Sequence, residues 1–278
     1  MWAKILTGAL FLLMVGGAIY VDPVRDRSLL GVRDSGRAQL RLMTWNIGHA
    51  SLESDSRAHT DDLKAVAETI LRNDPDAVAL QELTGQEQLE ILLGHLRRKY
   101  RGKVCSFGGQ DRVAAVLVKG REAQFEDIPT SDRYAVGAVF RFQKEGGEGP
   151  EVVVISAHAD AFNAARRRSF TGDVVDWARA RPSDQAVFIA GDFNFELRAR
   201  NQSNIYTDNI KHDSEAYSHL LKYFRDLGRD AGATAINDRR IDYIFGLPEV
   251  ALLQRAEVLK GVAVGRMDHL PLLVEVLL

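Results

Sequence analysis

Asp192 and Asn194 stand two residues apart at the end of the stretch VFIAGDFNF, Val187 to Phe195. The apolar residues ahead of them read as a strand covered on both faces. A carboxylate and a carboxamide at such an end are costly unless a metal, a phosphate or a hydrogen-bond network receives them. Alone, the stretch reads equally well as a strand followed by an Asp/Asn turn. Five other places in the chain shift the balance. Asn46 closes QLRLMTWN, Glu82 closes DAVALQE and His158 closes EVVVISAH, while Asp242 begins a strand-like run and Asp268-His269 precede another. Each has a bland reading: Glu82 as the start of a loop, His158 as a satisfied strand-end histidine, Asp242 as a partner of Arg239 or Arg240. Six such places, all Asp, Asn, Glu or His, form a pattern that chance seldom produces.

The elements that would carry these residues follow from periodicity. Gln39–Asn46, Asp76–Glu82, Lys103–Phe107, Val113–Lys119, Tyr134–Gln143, Glu151–His158, Val187–Gly191, Ile241–Phe245 and Leu270–Leu278 read as strands. Leu63, Val66, Ala67, Ile70 and Leu71 recur at helical spacing, so Asp61–Arg72 is predicted to be an amphipathic helix stopped by Asn73-Asp74-Pro75. Thr84 and Glu87 predict a capping box for a helix that buries Leu89, Leu92, Leu93 and Leu96. Ala164–Arg181 and Ala216–Leu227 complete the helices. Strands and helices alternate early and strands dominate the middle, which predicts a layered α/β fold around two packed sheets.

The chain has 278 residues, 46% hydrophobic and 27% charged, enough for one large core or two small ones. A net charge of -2 removes the global basic field of a processive nucleic-acid binder and leaves room only for a local basic cleft. The single cysteine, Cys105, excludes an internal disulfide framework and reads as a buried, inert thiol. Residues 1–21 are the compositional anomaly. Ile5–Val21 carries no charge and follows the lone Lys4, so it reads first as an uncleaved membrane anchor, next as a cleaved signal and last as a core helix. Either of the first two places the rest of the chain outside the cytoplasm, membrane-anchored or secreted. Residues 22–38 read as a linker, and 39–278 as the functional domain.

The set TWNIG, LQE, AHAD, GDFN, RIDYIF and DHLP resembles the endonuclease/exonuclease/phosphatase superfamily, the group that includes deoxyribonuclease I, over Gln39–Leu278. The resemblance implies a four-layer α/β/β/α sandwich with its site at one end of the two sheets. It implies metal contacts for Asn46, Glu82 and Asp268, with Mg²⁺ (or Mn²⁺) as the cofactor. It implies that Asp192 orients or deprotonates the attacking water, that Asn194 donates to the scissile phosphate, and that His158 contacts phosphate or protonates the leaving oxygen. His269 would act on the phosphate with Asp242 fixing its tautomer. Two departures stand out: the family's threonine-histidine-leucine is Ala157-His158-Ala159 here, and the tyrosine of the apurinic endonucleases has no counterpart. The resemblance thus implies a Mg²⁺-dependent phosphoesterase, expected as a monomer, acting on nucleic acid, phospholipid or a small phosphodiester. The rival from another class is a non-catalytic, membrane-anchored binding module that kept the fold. Arg166-Arg167-Arg168, just after His158, is expected either to reach a substrate phosphate or to form a solvated basic face, and Trp45 is expected in the core.

Overall fold

Two six-stranded sheets face each other. The first contains β1 (Gln39–Asn46), β2 (Ala77–Leu83), β3 (Tyr100–Val104), β4 (Val113–Lys119), β11 (Leu252–Val258) and β12 (Leu272–Leu277), in the order β11-β12-β1-β2-β4-β3. The second contains β5 (Ala123–Asp127), β6 (Tyr134–Lys144), β7 (Gly147–His158), β8 (Ala186–Asp192), β9 (Arg225–Asp226) and β10 (Asp242–Gly246), in the order β5-β6-β7-β8-β10-β9. This computed structural model describes residues 39–48, 56–106, 112–144, 147–197, 207–247, 249, 251–262 and 267–278. Helices α1 (Ser56–Asn73) and α2 (Gln86–His95) pack Leu63, Val66, Ile70, Leu89 and Leu92 into the core of the first sheet. Helices α3 (Ala164–Arg179) and α4 (Ile210–Leu221) pack Phe170, Val174, Ala216 and Leu220 against the second. The result is the expected four-layer α/β/β/α sandwich.

Strand parity explains how polar residues come to share one place. In β8, Ala186, Phe188 and Ala190 belong to the core between the sheets, whereas Val187 and Ile189 face the helices. Side chains alternate along a strand, so Asp192 continues the inter-sheet row. The same holds for Val152, Val154, Ser156 and His158 in β7, and for Ile244 and Asp242 in β10. Each sheet is built around a parallel pair, β1 with β2 and β7 with β8, whose last residues lie at the same end. The antiparallel neighbours β12 and β10 begin there. One end of the sandwich therefore collects the residues that close four strands and open two.

Some elements differ from the sequence expectation. The edge strands β5 and β11 were not expected, because their half-exposed, mixed sequences AQFED and LLQRAEV carry no clean alternation, and β9 is only two residues long. Helix α4 starts at Ile210 rather than near Ala216, since the Asn209 side chain accepts from Lys211 N and caps it there. The Thr84/Glu87 capping box does not form. Gly85 holds the N-cap position of α2 without a side-chain cap, and the Gln88 side chain instead accepts from Thr84 N at 2.9 Å. Cys105 is buried and forms no disulfide, as expected. The apolar run Ile5–Val21 and the linker 22–38 lie outside the described residues, among which no helix is long and apolar enough to cross a membrane.

Candidate active site

The centre of the site is the end of β8. Register places Asp192 between His158 of β7 and Asp242 of β10, so three titratable side chains stand in a row across the second sheet. Gly191 makes that row possible. Its Cα lies so close to β7 that an added Cβ would stand 1.9 Å from the Ala157 carbonyl oxygen. On the helix side of the same segment, Phe193 and Phe195 join Tyr217, Tyr243 and Phe245 in a buried aromatic cluster with centroid separations from 5.3 to 6.3 Å. The phenylalanines of GDFNF anchor the loop, and the polar residues between them are held toward the site.

Asp192 is buried, and each of its oxygens accepts one hydrogen bond. Its Oδ1 accepts from Asn194 N at 2.9 Å, and its Oδ2 accepts from Asn46 Nδ2, across the sheet interface, also at 2.9 Å. Asn46 in turn accepts from Gly48 N at 2.8 Å, which holds the carboxamide that orients Asp192. His158 Nε2 lies 3.9 Å from Asp192 Oδ2 and 3.7 Å from Glu82 Oε1. The other ring nitrogen of His158 is 3.3 Å from the Arg112 carbonyl. A carbonyl only accepts, so Nδ1 carries a hydrogen there and Nε2 faces the carboxylates.

Asp268 and His269 lie in the short segment that leads into β12. Backbone bonds from Leu270 N to Thr234 O and from Ile236 N to Asp268 O tie them to the loop that leads into β10. Trp45, buried in the core as expected, donates its indole N–H to the His269 carbonyl at 3.2 Å. His269 Nδ1 and Asp242 Oδ2 are 2.8 Å apart, and His269 Nε2 reaches within 3.9 Å of Asp192 Oδ2 and 3.8 Å of Asp268 Oδ1. Burial opposes a charge on His269, but the attraction and hydrogen bond of Asp242 outweigh it and lift the imidazole to about 10. Burial pushes the Asp242 carboxyl up as well, against the pull of His269. The two titrate as one unit, with the shared proton on the imidazole. Asp242 has this partner and not an arginine: Arg240 pairs with Asp226 in a bidentate bridge, and Arg239 lies 3.6 Å from Glu196.

Glu82 and Asn194 occupy left-handed backbone with φ of 62° and 53°. For non-glycine residues such conformations cost of order 1–3 kcal/mol and persist only when the surroundings impose them. Asn194 is buried, and its Nδ2 donates to the Ala159 carbonyl at 3.4 Å. That leaves its second N–H for another acceptor.

The structure therefore brings Asn46, Glu82, His158, Asp192, Asn194, Asp242, Asp268 and His269 to one end of the sandwich. Four of them are carboxylates and one, His269, is a held cation, so the cluster carries excess negative charge. The oxygen-rich donor set fits a hard divalent cation. Asp192, Asp242 and His269 offer ligand atoms within 4.8 Å of one another. Since His269 engages Asp242 Oδ2, the exposed Asp268 and the partly buried Glu82 are the more accessible oxygen donors.

Sequence reasoning missed the supports. Thr234 Oγ1 accepts from Ile241 N and Asp242 N at 3.2 and 3.1 Å and fixes the start of β10. Gln81 Nε2 donates to Ser156 Oγ at 3.1 Å and joins the two sheets behind the site. Arg167 does not reach the site but is fully buried against Asp213, while Arg168 pairs with Glu215 on the surface. None of these left a signal in the sequence, whereas Gly191 did, as a glycine inside a buried strand.

Residues 43–259 match the model of the Endonuclease/Exonuclease/phosphatase family. No match was found among curated proteins. Among solved structures, an endonuclease/exonuclease/phosphatase from Bacteroides vulgatus aligns with a TM-score of 0.66 and 17% identity, covering 86% of this chain and 98% of the other. The human Nocturnin catalytic domain, solved with a bound sulfate anion, aligns at 0.62 and 18%, covering 86% and 97%. A mannosyl-6-phosphatase from Bacteroides thetaiotaomicron aligns at 0.62 and 18%, covering 85% and 99%.

Proposed function

The chain belongs to the endonuclease/exonuclease/phosphatase family, and from that premise we propose that it is a divalent-metal-dependent phosphoesterase that delivers water to a phosphodiester or phosphomonoester. One observation carries the proposal: a single oxygen, Asp192 Oδ2, lies 2.9 Å from Asn46 Nδ2 and 3.9 Å from both His158 Nε2 and His269 Nε2. A carboxylate so placed is suited to accept a proton from a water directed at phosphorus. Asn46 holds its carboxylate plane, which fixes where that water stands. Asn194 donates its free N–H to a phosphoryl oxygen. The protonated His269, held by Asp242, supplies a cationic donor for the developing negative charge or the departing oxygen. His158 Nε2 faces the same space and serves the leaving-group side. Glu82, Asp268 and the Asn46 carboxamide oxygen are the residues that would hold Mg²⁺ or Mn²⁺. Such an ion, when bound, polarises a phosphoryl oxygen and offsets its charge.

The uncharged run Ile5–Val21 supports attachment to a membrane with the catalytic unit outside the cytoplasm. The substrate is a phosphoester of nucleic acid, phospholipid or small-molecule type. The test is a panel with the full-length protein: a bis-aryl phosphodiester, plasmid DNA, RNA, phospholipids and inositol phosphates, each with EDTA and with Mg²⁺ or Mn²⁺ restored. Metal-dependent turnover of at least one is expected. No metal-dependent turnover on any of them would sink the proposal.

A further inference from the structure

Arg167 is the middle member of a basic triplet, yet it is fully buried, and its guanidinium makes four hydrogen bonds. Nε and Nη2 grip Asp213 Oδ1 and Oδ2 at 2.7 and 2.9 Å, Nη2 also donates to Thr207 Oγ1 at 2.7 Å, and Nη1 donates to the Asp160 carbonyl at 3.0 Å. Asp213 Oδ2 has a second donor, Glu196 N, at 3.1 Å. These contacts land on the two loops that carry the site. Asp160 lies two residues after His158 and one after Ala159, and Glu196 lies two residues after Asn194. Because Asn194 Nδ2 reaches the Ala159 carbonyl, the bonds close a ring. The ring runs from Asn194 to Glu196, through Asp213 and Arg167 to Asp160, and back through Ala159 to Asn194. Asp160 stiffens its own side by accepting from Phe162 N, Asn163 N and Arg133 Nη2 at 2.7, 2.8 and 3.1 Å.

A fully buried ion pair is weak evidence of stabilisation, since well-packed apolar residues of similar volume often do as well or better. What such a pair supplies and an apolar pair does not is direction: a planar fork that meets a carboxylate at two points and a carbonyl at a third. Asn194 needs that supply. Its φ of 53° is strained for a residue with a side chain, and its neighbours must impose it. We infer that the Arg167–Asp213 pair is a positioning device, setting the distance between the loops after β7 and β8 so that Asn194 and His158 face one substrate together. The inference rests on the phosphoesterase reading for its kinetic consequence but not for its structural one.

The experiment compares full-length wild type with Arg167→Lys and with the double variant Arg167→Met/Asp213→Leu. Each is followed by thermal melting, by Mg²⁺-dependent hydrolysis of a bis-aryl phosphodiester, and by hydrogen exchange over 159–163 and 193–197. The double variant is expected to stay folded and to melt somewhat below wild type, since the apolar pair fills the space but leaves the Asp160 carbonyl and Glu196 N without their partners. Its kcat is expected to fall about 100-fold, the usual consequence of an ångström-scale displacement, with KM held within about threefold. Exchange in both loops should quicken while the central strands stay protected. Wild-type kcat and wild-type exchange in the double variant would overturn the inference. If the double variant does not fold, Arg167→Lys decides, because it keeps the charge and loses the fork: unchanged kcat and exchange there overturn it equally. Should the wild type itself turn over no phosphoester, the functional reading has failed, and the exchange arm alone still decides whether the pair sets the loops.

Discussion

Gly191→Ala perturbs the site through one methyl group. The new Cβ would lie 1.9 Å from the Ala157 oxygen, 2.8 Å from its carbonyl carbon and 2.9 Å from its nitrogen. An ordinary carbon–oxygen contact is about 3.3 Å, so β8 must retreat by about 1.4 Å from β7 at the point where His158 and Asp192 are paired. None of the three opposing atoms belongs to a side chain that can rotate away. Overpacking costs about 1–3 kcal/mol, and a φ of 153° adds backbone strain, about 1–3 kcal/mol for a residue with a Cβ. Midway values sum to about 4 kcal/mol, a fall of about 8–16 °C in Tm for a domain of this size. Differential scanning fluorimetry and urea denaturation measure it. Gly172→Ala is the control: Gly172 lies within α3 with nothing within 4 Å of its added Cβ, so alanine should raise stability by about 0.5–1 kcal/mol. A Gly191→Ala melt within 2 °C of wild type (about 1 kcal/mol or less) would refute the reasoning about the β7–β8 approach.

Other predictions concern charge and strain. His269 is raised from 6.5 to about 10 in the folded protein, so its stabilisation is complete below pH 6.5 and lost as pH climbs toward about 10. The urea midpoint should drop by an amount worth a few kcal/mol between pH 7 and pH 10, and His269→Gln should flatten that slope; equal slopes would contradict the Asp242–His269 assignment. Glu82→Gly and Asn194→Gly should leave Tm unchanged or slightly higher, because glycine tolerates positive φ, while kcat falls at least about 100-fold. For Glu82→Gly the rise in Tm produced by Mg²⁺ in wild type should also vanish, and an unchanged rise would remove Glu82 from the metal site. Arg240→Ala breaks the bidentate bridge to buried Asp226 and the contact over Tyr243, and should cost about 3–5 kcal/mol, read as a lower urea midpoint.

The strands that position the site were legible because their signal is local. Continuous apolar runs in VFIAG and VVVIS mark buried central strands, and the polar residue that ends each run lies where the strand stops. Parity then carries Asp192, His158 and Asp242 to the inter-sheet face, as alternation requires. The edge strands were not legible, since AQFED and LLQRAEV are half exposed and carry a mixed pattern. The start of α4 depended on a cap by Asn209, and a short polar residue ahead of a weakly periodic stretch is common in loops as well. Arg167 illustrates a deeper limit. Its triplet reads as a cationic surface, and only tertiary contact with Asp213, 46 residues away, turns its middle member into the core. The opposite happened with Asp242, whose neighbours Arg239 and Arg240 were the obvious partners by sequence, while His269, 27 residues on, is the partner in space.

The claim that Asp192 governs a metal-dependent hydrolysis is tested most directly by one comparison. Full-length wild type and Asp192→Asn are freed of metal with EDTA, matched for fold by circular dichroism and assayed on a bis-aryl phosphodiester as Mg²⁺ is restored. The asparagine keeps the size of the side chain but cannot take a proton from water. Wild type should recover activity with added Mg²⁺, and Asp192→Asn should stay at least about 100-fold slower at saturating Mg²⁺. Equal rates for the two proteins, or activity in wild type that EDTA does not remove, would contradict the account.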